Sequence, residues 1–116
     1  MITGKFPSLR LRRTRKYTWS RRLIQENNLS SNDLIYPIFI IEGKNKKQPI
    51  KSMPDVYKYT VDKLGTVVSN VIKSNIPMVA LFPSTPSKKK DYYGKEALNE
   101  NNLVCRATRF IKKKFK

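Results

Sequence analysis

Histidine is absent from the 116-residue sequence, and cysteine occurs once, at Cys105. The lack of histidine excludes histidine-based triads and imidazole metal ligands. A single cysteine cannot form an intrachain disulfide, which favours a reducing compartment, and without histidine to activate it we interpret Cys105 as a small buried side chain. No apolar run reaches the roughly 18 residues of a membrane helix, and no apolar segment of a secretory signal follows the first residues. We therefore expect a cytoplasmic protein that does not enter the membrane.

Acidic residues are scarce, because eight Asp and Glu stand against 25 Lys and Arg, which gives a formal net charge of +17. Such an excess attracts phosphate and is typical of nucleic-acid-binding proteins. The abundance of Lys and Asn is also what an AT-rich genome produces without any selection for a partner. We favour this bias together with a specialised basic arm, and we do not expect nucleic acid as a partner. A small basic RNA- or ribosome-binding protein stays the alternative.

The chain has few groups that could carry chemistry. Its four glycines stand singly, so none builds a phosphate-binding loop, and no two carboxylates have a spacing that suggests shared acid–base work. A Schiff-base lysine must be desolvated, whereas Lys63, Lys73 and residues 88–90 fall on predicted solvated faces or loops. Ser84 and Thr85 lie between prolines after a predicted strand, and we interpret them as a turn. We therefore predict no catalytic, cofactor-binding or metal-ligating residue in this chain.

Residues 1–32 form a basic amino-terminal arm with a short helix. The helix is predicted from Arg21 to Asn28, with Ser20 as its N-cap. Like charges at this density disfavour an independent fold, so we expect an extended segment that becomes ordered on a partner. Tyr17 and Trp19 argue against a simple solvated tail, since large aromatic side chains usually cover a surface.

Residues 33–116 have the pattern of two βα units. The continuous apolar run at about 34–41 predicts a strand buried on both faces of a parallel sheet, with Pro37 near its start. A second strand is predicted at about 78–82, and residues 56–59 form a short extended piece. Helices are predicted at about 60–74, capped by Thr60, and at about 103–114. Gly65 inside the first of these helices costs about 1 kcal/mol relative to alanine, so that helix must depend on packing.

Each of the two predicted helices has one apolar face. The first stripe comprises Val61, Leu64, Val67, Val68, Val71 and Ile72, and the second comprises Leu103, Ala107, Phe110 and Ile111. The strand–helix–strand order indicates an α/β fold with right-handed crossovers.

A series of short motifs has a recognisable order. They are RLRR at 10–13, DLIYPIF at 33–39, EG at 42–43, PI at 49–50, SMP at 52–54, VALFP at 79–83 and GKEA at 94–97. In order and spacing, the chain resembles the porphobilinogen synthase (5-aminolevulinate dehydratase) family, whose members are (β/α)₈-barrel enzymes of haem biosynthesis. One departure is Asp55, where the family often has glycine.

The resemblance implies an incomplete TIM (β/α)₈ barrel that consists of the first two βα units after an extended basic arm. It implies a lyase of tetrapyrrole biosynthesis that condenses two molecules of 5-aminolevulinate to porphobilinogen and releases two waters. The two lysines that do this chemistry and the ligands of zinc or magnesium would lie beyond Lys116. The arm, with Arg10, Arg12, Arg13 and Trp19, would wrap a neighbouring subunit of a homo-octamer.

Length limits what these 116 residues are expected to do alone, since a complete barrel takes about 250 residues. We expect the amino-terminal portion of such an enzyme, poorly folded or prone to association by itself and catalytically inactive. Its partner would be further copies of the protein or a complementary carboxy-terminal fragment. An inactive piece that only contacts other subunits is the remaining interpretation.

Overall fold

The computed structural model describes residues 3–115, which form a mixed α/β fold preceded by an arm. The strands are β1 (Ile35–Ile40), β2 (Lys47–Pro49), β3 (Tyr57–Tyr59) and β4 (Met78–Pro83), and the α-helices are α1 (Thr18–Leu23), α2 (Leu64–Lys73), α3 (Lys95–Leu98) and α4 (Leu103–Lys114). Short 3-10 turns occupy Arg13–Arg15, Ser31–Asp33, Val61–Lys63 and Ser87–Lys89. In this part of the chain, no helix has both the length and the apolar character needed to cross a membrane.

The four strands form one sheet in the order β2-β3-β1-β4. β1 and β4 are parallel and pair over six residues, from Ile35 opposite Met78 to Ile40 opposite Pro83. On its other side β1 pairs with β3 only at Phe39 and Ile40, also in parallel. β2 then pairs antiparallel with β3 as a hairpin. β1 is therefore central at its carboxyl end, while between Ile35 and Ile38 it has one strand neighbour within residues 3–115.

The core lies between one face of the sheet and the helices α2 and α4. Side chains alternate between the two faces of a strand, and in β1 the buried ones are Ile38 and Ile40. The buried hydrophobic residues are Ile38, Ile40, Leu64, Val67, Val68, Val71, Leu103 and Ala107. Phe110 and Ile111 pack against this cluster and are partly buried, so the predicted inward face of the second helix is confirmed.

The opposite face of the sheet is open, which corrects the prediction of a strand buried on both faces. Ile35 and its register partner Met78 are each 57% exposed, and Phe82 is 49% exposed. The apolar run in β1 is continuous because both of its faces carry apolar side chains, but residues 3–115 cover only one of them. We call the surface that bears Ile35, Phe39, Met78 and Phe82 the open face.

Two further predictions for the first long helix are wrong. Thr60 does not cap it, because the Thr60 side chain is fully buried and its Oγ1 binds Lys46 instead, accepting from the backbone N–H at 3.0 Å and donating to the carbonyl at 3.3 Å. A 3-10 turn at Val61–Lys63 precedes the α-helix. Ile72 belongs to the predicted stripe, yet it is 53% exposed in the last turn.

Gly65 lies where α2 and α4 approach each other, and alanine is expected to stabilise the chain there. A Cβ on Gly65 would contact the Lys114 ammonium and lie 3.1 Å from Lys114 Cε, but the end of a lysine side chain moves away at little cost. The gain in helix propensity should then raise the free energy of unfolding by about 0.5–1 kcal/mol. The free energy of unfolding is measured by urea titration, with circular dichroism as the signal.

The matched control for this variant is Gly43→Ala. Gly43 has a φ of 120°, which side-chain-bearing residues rarely adopt. This substitution should lower the free energy of unfolding by about 1 kcal/mol or more. A Gly65→Ala variant that unfolds at lower urea than the parent would contradict the account of the Lys114 contact.

The arm is ordered differently from the prediction. Its helix α1 begins at Thr18 and follows Tyr17, and Ser20 lies buried within it, donating from Oγ to the Tyr17 carbonyl at 2.9 Å. The Arg21 guanidinium donates to the carbonyls of Arg15 and Lys16, at 3.1 and 3.2 Å, and so holds the preceding turn against the helix. The structure extends over 70 × 36 × 26 Å with a radius of gyration of 22.3 Å, whereas a compact domain of this size has about 13 Å.

Candidate functional site

The carboxyl ends of β1 and β4 lie at the same edge of the sheet, because the two strands are parallel. Glu42 follows β1 at this edge. Residues 84–102 follow β4, cross above the edge and lead into α4. In parallel α/β proteins this is the edge at which ligands and catalytic groups collect.

A chain of four alternating charges joins these segments. One guanidinium nitrogen of Arg106, Nη2, donates to both carboxylate oxygens of Glu42 at 2.6 Å. The Lys89 ammonium donates to Glu96 Oε1 at 3.0 Å and lies 3.5 Å from Glu42 Oε1. The network thus fastens the loop after β4 and the first turns of α4 to the residue that follows β1.

The network shifts the pKa values of Glu42, Lys89 and Glu96 toward their charged forms. The hydrogen bond from Arg106 lowers the pKa of Glu42, against a smaller opposing effect of burial. The Lys89 hydrogen bond lowers the pKa of Glu96, and Glu96 in turn raises the pKa of Lys89. Both carboxylates are therefore ionised at neutral pH, and neither is poised as a general acid or base.

A cleft of about 270 Å³ opens beside the network. Its walls are Glu42, Pro83, Thr85, Pro86, Lys89, Glu96, Ala97, Asn102, Leu103 and Val104. Asn102 begins α4 as its N-cap, with Oδ1 accepting from the Cys105 N–H at 2.8 Å. Because the two carboxylates in the cleft are already paired with cations, it offers polar contacts but no free charge.

These residues do not fit a metal ion. Zinc and magnesium sites need several convergent N, O or S ligands, and within residues 3–115 no group of three or more His, Cys, Asp or Glu side chains comes together. Glu42 and Glu96 are each held by a cation, which competes with any metal.

A second polar contact lies on the open face at the same edge. The Lys58 ammonium donates to Ser84 Oγ at 3.4 Å. Ser84 is itself fixed by its backbone N–H, which donates to the Ile40 carbonyl at 2.8 Å. Phe39 is the register partner of both Lys58 and Phe82, and the rings of Phe39 and Phe82 lie 5.6 Å apart.

Several of these residues differ from their prediction. Lys89 is not simply solvated but is partly buried and paired with two carboxylates. Ser84 does more than form a turn, since it accepts from Lys58. Glu42 and Glu96 are brought close through Lys89, although their sequence spacing gives no such indication. Lys58 was not singled out, and only its position beside the carboxyl end of the first strand could have indicated it.

The arm residues predicted to contact a neighbour precede β1 in the chain. Trp19 is 67% exposed and stacks nearly parallel on Tyr17, with ring centroids 6.3 Å apart. Arg10 lies 5.4 Å from the ring centroid of Phe6. Arg12 and Arg13 lie at the start of the first 3-10 turn, and their side chains are exposed.

Comparison with known proteins identifies the family of this chain. The sequence model of the delta-aminolevulinic acid dehydratase family matches residues 8–116. The chain belongs to the delta-aminolevulinic acid dehydratase family. The resemblance seen in the sequence is thereby confirmed.

Individual dehydratases match over a limited part of their own length. The enzyme of Bradyrhizobium diazoefficiens is 47% identical over 108 residues, which are 93% of this chain and 31% of the relative. That of Methanothermus sociabilis is 39% identical over 93% of this chain and 33% of the relative. The chain therefore spans about a third of the length of these curated dehydratases.

A solved dehydratase has the same fold in the shared part. The crystal structure of delta-aminolevulinic acid dehydratase (porphobilinogen synthase) from Toxoplasma gondii, in complex with the reaction product porphobilinogen, superimposes with a TM-score of 0.79 at 32% identity. The match covers 92% of this chain and 30% of that one. Where dehydratases often have glycine, Asp55 adopts a left-handed φ of 61°, a conformation that glycine adopts more easily.

Glu42→Gln is expected to loosen the loop after β4. Folding lowers the pKa of Glu42. The ionised carboxylate therefore stabilises the fold fully at pH values above the unfolded pKa of about 4.3. This stabilisation is lost as the pH falls through the lower pKa of the folded state. Because the pair is partly exposed, the variant should lose only about 0.2–1 kcal/mol at pH 7. It should also be cleaved faster by trypsin at residues 88–90, as measured by limited proteolysis with mass spectrometry.

Glu100→Gln is the control for this prediction, because Glu100 is exposed and its carboxylate makes no ion pair among the described residues. Its cleavage at residues 88–90 should match that of the parent. Equal cleavage rates in Glu42→Gln and the parent would show that the network does not hold the loop.

Proposed function

We propose that the chain is the amino-terminal part of a (β/α)₈ barrel, in which it supplies the arm and the first two βα units. Residues 1–32 are the arm and residues 33–116 the partial barrel. The completed barrel condenses two molecules of 5-aminolevulinate to porphobilinogen with release of two waters. The observation that carries this proposal is the match to the dehydratase family over residues 8–116.

The open edges of the sheet support the barrel. β4 pairs with β1 on one side, and its other edge has no strand within residues 3–115. An apolar groove runs beside that edge on the helix side, lined by Val79, Leu81, Val104, Thr108, Ile111 and Lys112. A further strand added to β4, with its helix in this groove, would continue the alternation of a barrel.

The open face supports the same proposal. In a (β/α)₈ barrel, helices cover the outside of the strands and side chains from all strands fill the inside. Here α2 and α4 cover the face that bears Ile38 and Ile40, so the open face would become the interior. Its apolar side chains, among them Ile35 and Met78, are those that a filled interior requires.

The chemistry of the reaction is assigned to the part of the barrel outside this chain. Family resemblance implies a Schiff-base lysine in a later strand and a zinc or magnesium ion. The residues described here do not form a ligand set, so any metal would be held elsewhere, and the 116 residues alone are expected to be inactive. A cytoplasmic location follows from the pathway to which the family belongs.

The arm is assigned to contacts between subunits. Trp19 is exposed together with Tyr17 and Leu23, and arginine and aromatic side chains are the commonest anchors of protein interfaces. We propose that Arg10, Arg12, Arg13 and Trp19 contact a neighbouring subunit of a homo-oligomer, an octamer by family resemblance.

Complementation tests the proposed function. The chain would be co-expressed with the remainder of the barrel, taken from the Bradyrhizobium relative, and porphobilinogen would be measured colorimetrically after addition of 5-aminolevulinate. We expect product from the pair and none from either part alone. Association without any product would overturn the enzymatic role, and absence of association would overturn the partial barrel.

A further inference from the structure

The arm carries a positive charge that the rest of this chain does not balance. Residues 1–32 contain eight Lys and Arg against one acidic side chain, Glu26. Residues 33–116 also have an excess of cations, with 17 Lys and Arg against seven Asp and Glu, and two of these seven carboxylates are already held in the charge network. Because like charges repel, the arm favours an anionic surface from outside these 116 residues.

Large apolar side chains are exposed among the cations of the arm. Those that are at least 67% exposed are Phe6, Leu11, Trp19 and Leu23. Soluble domains usually cover side chains of this size, and exposed apolar groups that are surrounded by charge are typical of an interaction surface. The partner of the arm therefore has to offer both negative charge and apolar contact.

Helix α1 presents both kinds of side chain together. Trp19 and Leu23 are four residues apart, so they are neighbours on the same side of the helix, and the exposed Arg22 lies three residues after Trp19. Arg21 donates to two carbonyls of the preceding turn at 3.1 and 3.2 Å. The ring, the leucine and the arginine thus belong to an ordered unit before any partner binds.

We infer that the arm binds the surface of an anionic lipid bilayer without crossing it. Lipid headgroups supply negative charge to the arginines, which are attracted to such surfaces, and the boundary of the acyl chains takes up Trp19 and Leu23. Tryptophan is enriched at this boundary, and segments with basic and apolar side chains lie in it. Nucleic acid would pair with the same charges and stack on the aromatic rings, but it gives the two leucines no apolar layer to enter.

This inference goes beyond the proposed function and does not depend on it. The side chains concerned include those proposed to contact a neighbouring subunit, so one arm cannot serve both partners at once. Binding to a bilayer is therefore a property of the separate chain, and it is tested there without complementation. An inactive complemented barrel would refute the proposed function and leave this inference as it stands.

Trp19 makes the test direct, because it is the single tryptophan of the sequence and its fluorescence reports on the arm. Vesicles of equal parts phosphatidylcholine and phosphatidylserine should shift its emission to shorter wavelengths, and brominated acyl chains in these vesicles should quench it. Raising the salt from about 0.1 M to 1 M shortens the Debye length from about 10 Å to 3 Å and should release most of the chain. Unchanged emission, or equal binding to vesicles of phosphatidylcholine alone, would overturn the inference.

A double variant tests the charge of the arm. Arg12→Gln combined with Arg13→Gln should weaken co-sedimentation with the mixed vesicles roughly 20-fold, since each cation near an anionic surface contributes about fivefold. Lys112→Gln combined with Lys113→Gln is the matched control, because it removes two exposed charges from α4 and should bind nearly as the parent does. Equal weakening in the two double variants would mean that only the net charge of the chain matters, and the inference would fail.

A leucine variant separates a bilayer from other anionic partners. Leu23→Ser should weaken binding to the mixed vesicles about fivefold or more, whereas Leu98→Ser, at a position that is 84% exposed in α3, should not. Vesicle binding of Leu23→Ser at the parental level would contradict insertion of the arm. Displacement of the parent from the vesicles by poly(U), at an equal concentration of phosphate, would assign the surface to single-stranded RNA instead.

Discussion

Met78→Asp is expected to weaken greatly the association of the chain with the remainder of the barrel. Met78 lies on the open face, 57% exposed in register with Ile35, so an aspartate there is well solvated in the separate chain. In a completed barrel the same position is interior, and an unpaired carboxylate there costs at least about 3–5 kcal/mol. Association should weaken by about 100-fold or more, as measured by co-purification and sedimentation.

Met53→Asp is the matched control, because it makes the same chemical change in the turn between β2 and β3. Met53 is 40% exposed and does not belong to the open face. This variant should associate as the parent does, while circular dichroism should show that both variants keep their helices. Co-purification of Met78→Asp at the parental level would mean that the open face is not the interior of a barrel.

Ile40→Ala is expected to unfold most of the separate chain. The Ile40 side chain is fully buried in a core cluster that has only seven buried residues in the described part of the chain, and such a truncation costs about 2–5 kcal/mol. Small domains have a total stability of about 5–15 kcal/mol, and a core this small belongs at the low end of that range. The loss should appear as a decrease in the helical circular dichroism signal and in the urea midpoint.

Ile35→Ala makes the same change five residues earlier on the opposite face of β1. Because Ile35 is exposed in the separate chain, its truncation should change stability by no more than about 0.5 kcal/mol. The two variants together test which face of β1 carries the core. A larger loss in Ile35→Ala than in Ile40→Ala would contradict the assignment of faces.

The buried faces of the helices were predictable because the periodicity of apolar residues alone indicates which side of a helix is apolar. Leu103 and Ala107 recur at helical spacing among charged residues, and both are buried. Ile72 fits the same periodicity in the first helix but lies in its last turn, where the neighbouring elements do not cover it. Periodicity identifies which side of a helix is apolar, and the tertiary structure determines how far along the helix that side is covered.

The β2–β3 hairpin was only partly predictable. Tyr57–Tyr59 had the composition of a short strand, but Lys47–Pro49 is polar and contains proline. β2 forms because β3 provides a partner at the edge of the sheet, where proline is tolerated. No property of its own three residues indicates a strand.

The charge network was not predictable from local pattern. Glu42 and Arg106 are 64 residues apart in sequence, and their contact depends on the loop after β4 crossing the sheet edge. The sequence does place Glu42 after a strand and Lys89 after another. Combined with the rule that parallel strands end at one edge, these positions predict proximity, but not which charges pair.

The uneven pairing of β1 has a consequence for how separate copies of the chain would associate. β3 covers only the carboxyl end of β1, so the described sheet leaves unpaired the whole outer edge of β4 and also the stretch of β1 from Ile35 to Ile38. The longer edge, that of β4, can pair with its equivalent on a second copy through a two-fold axis. A second edge of similar length would instead permit open-ended stacking of sheets. Because the hairpin shortens the edge of β1, it should favour dimers over fibrils whenever the rest of the barrel is missing.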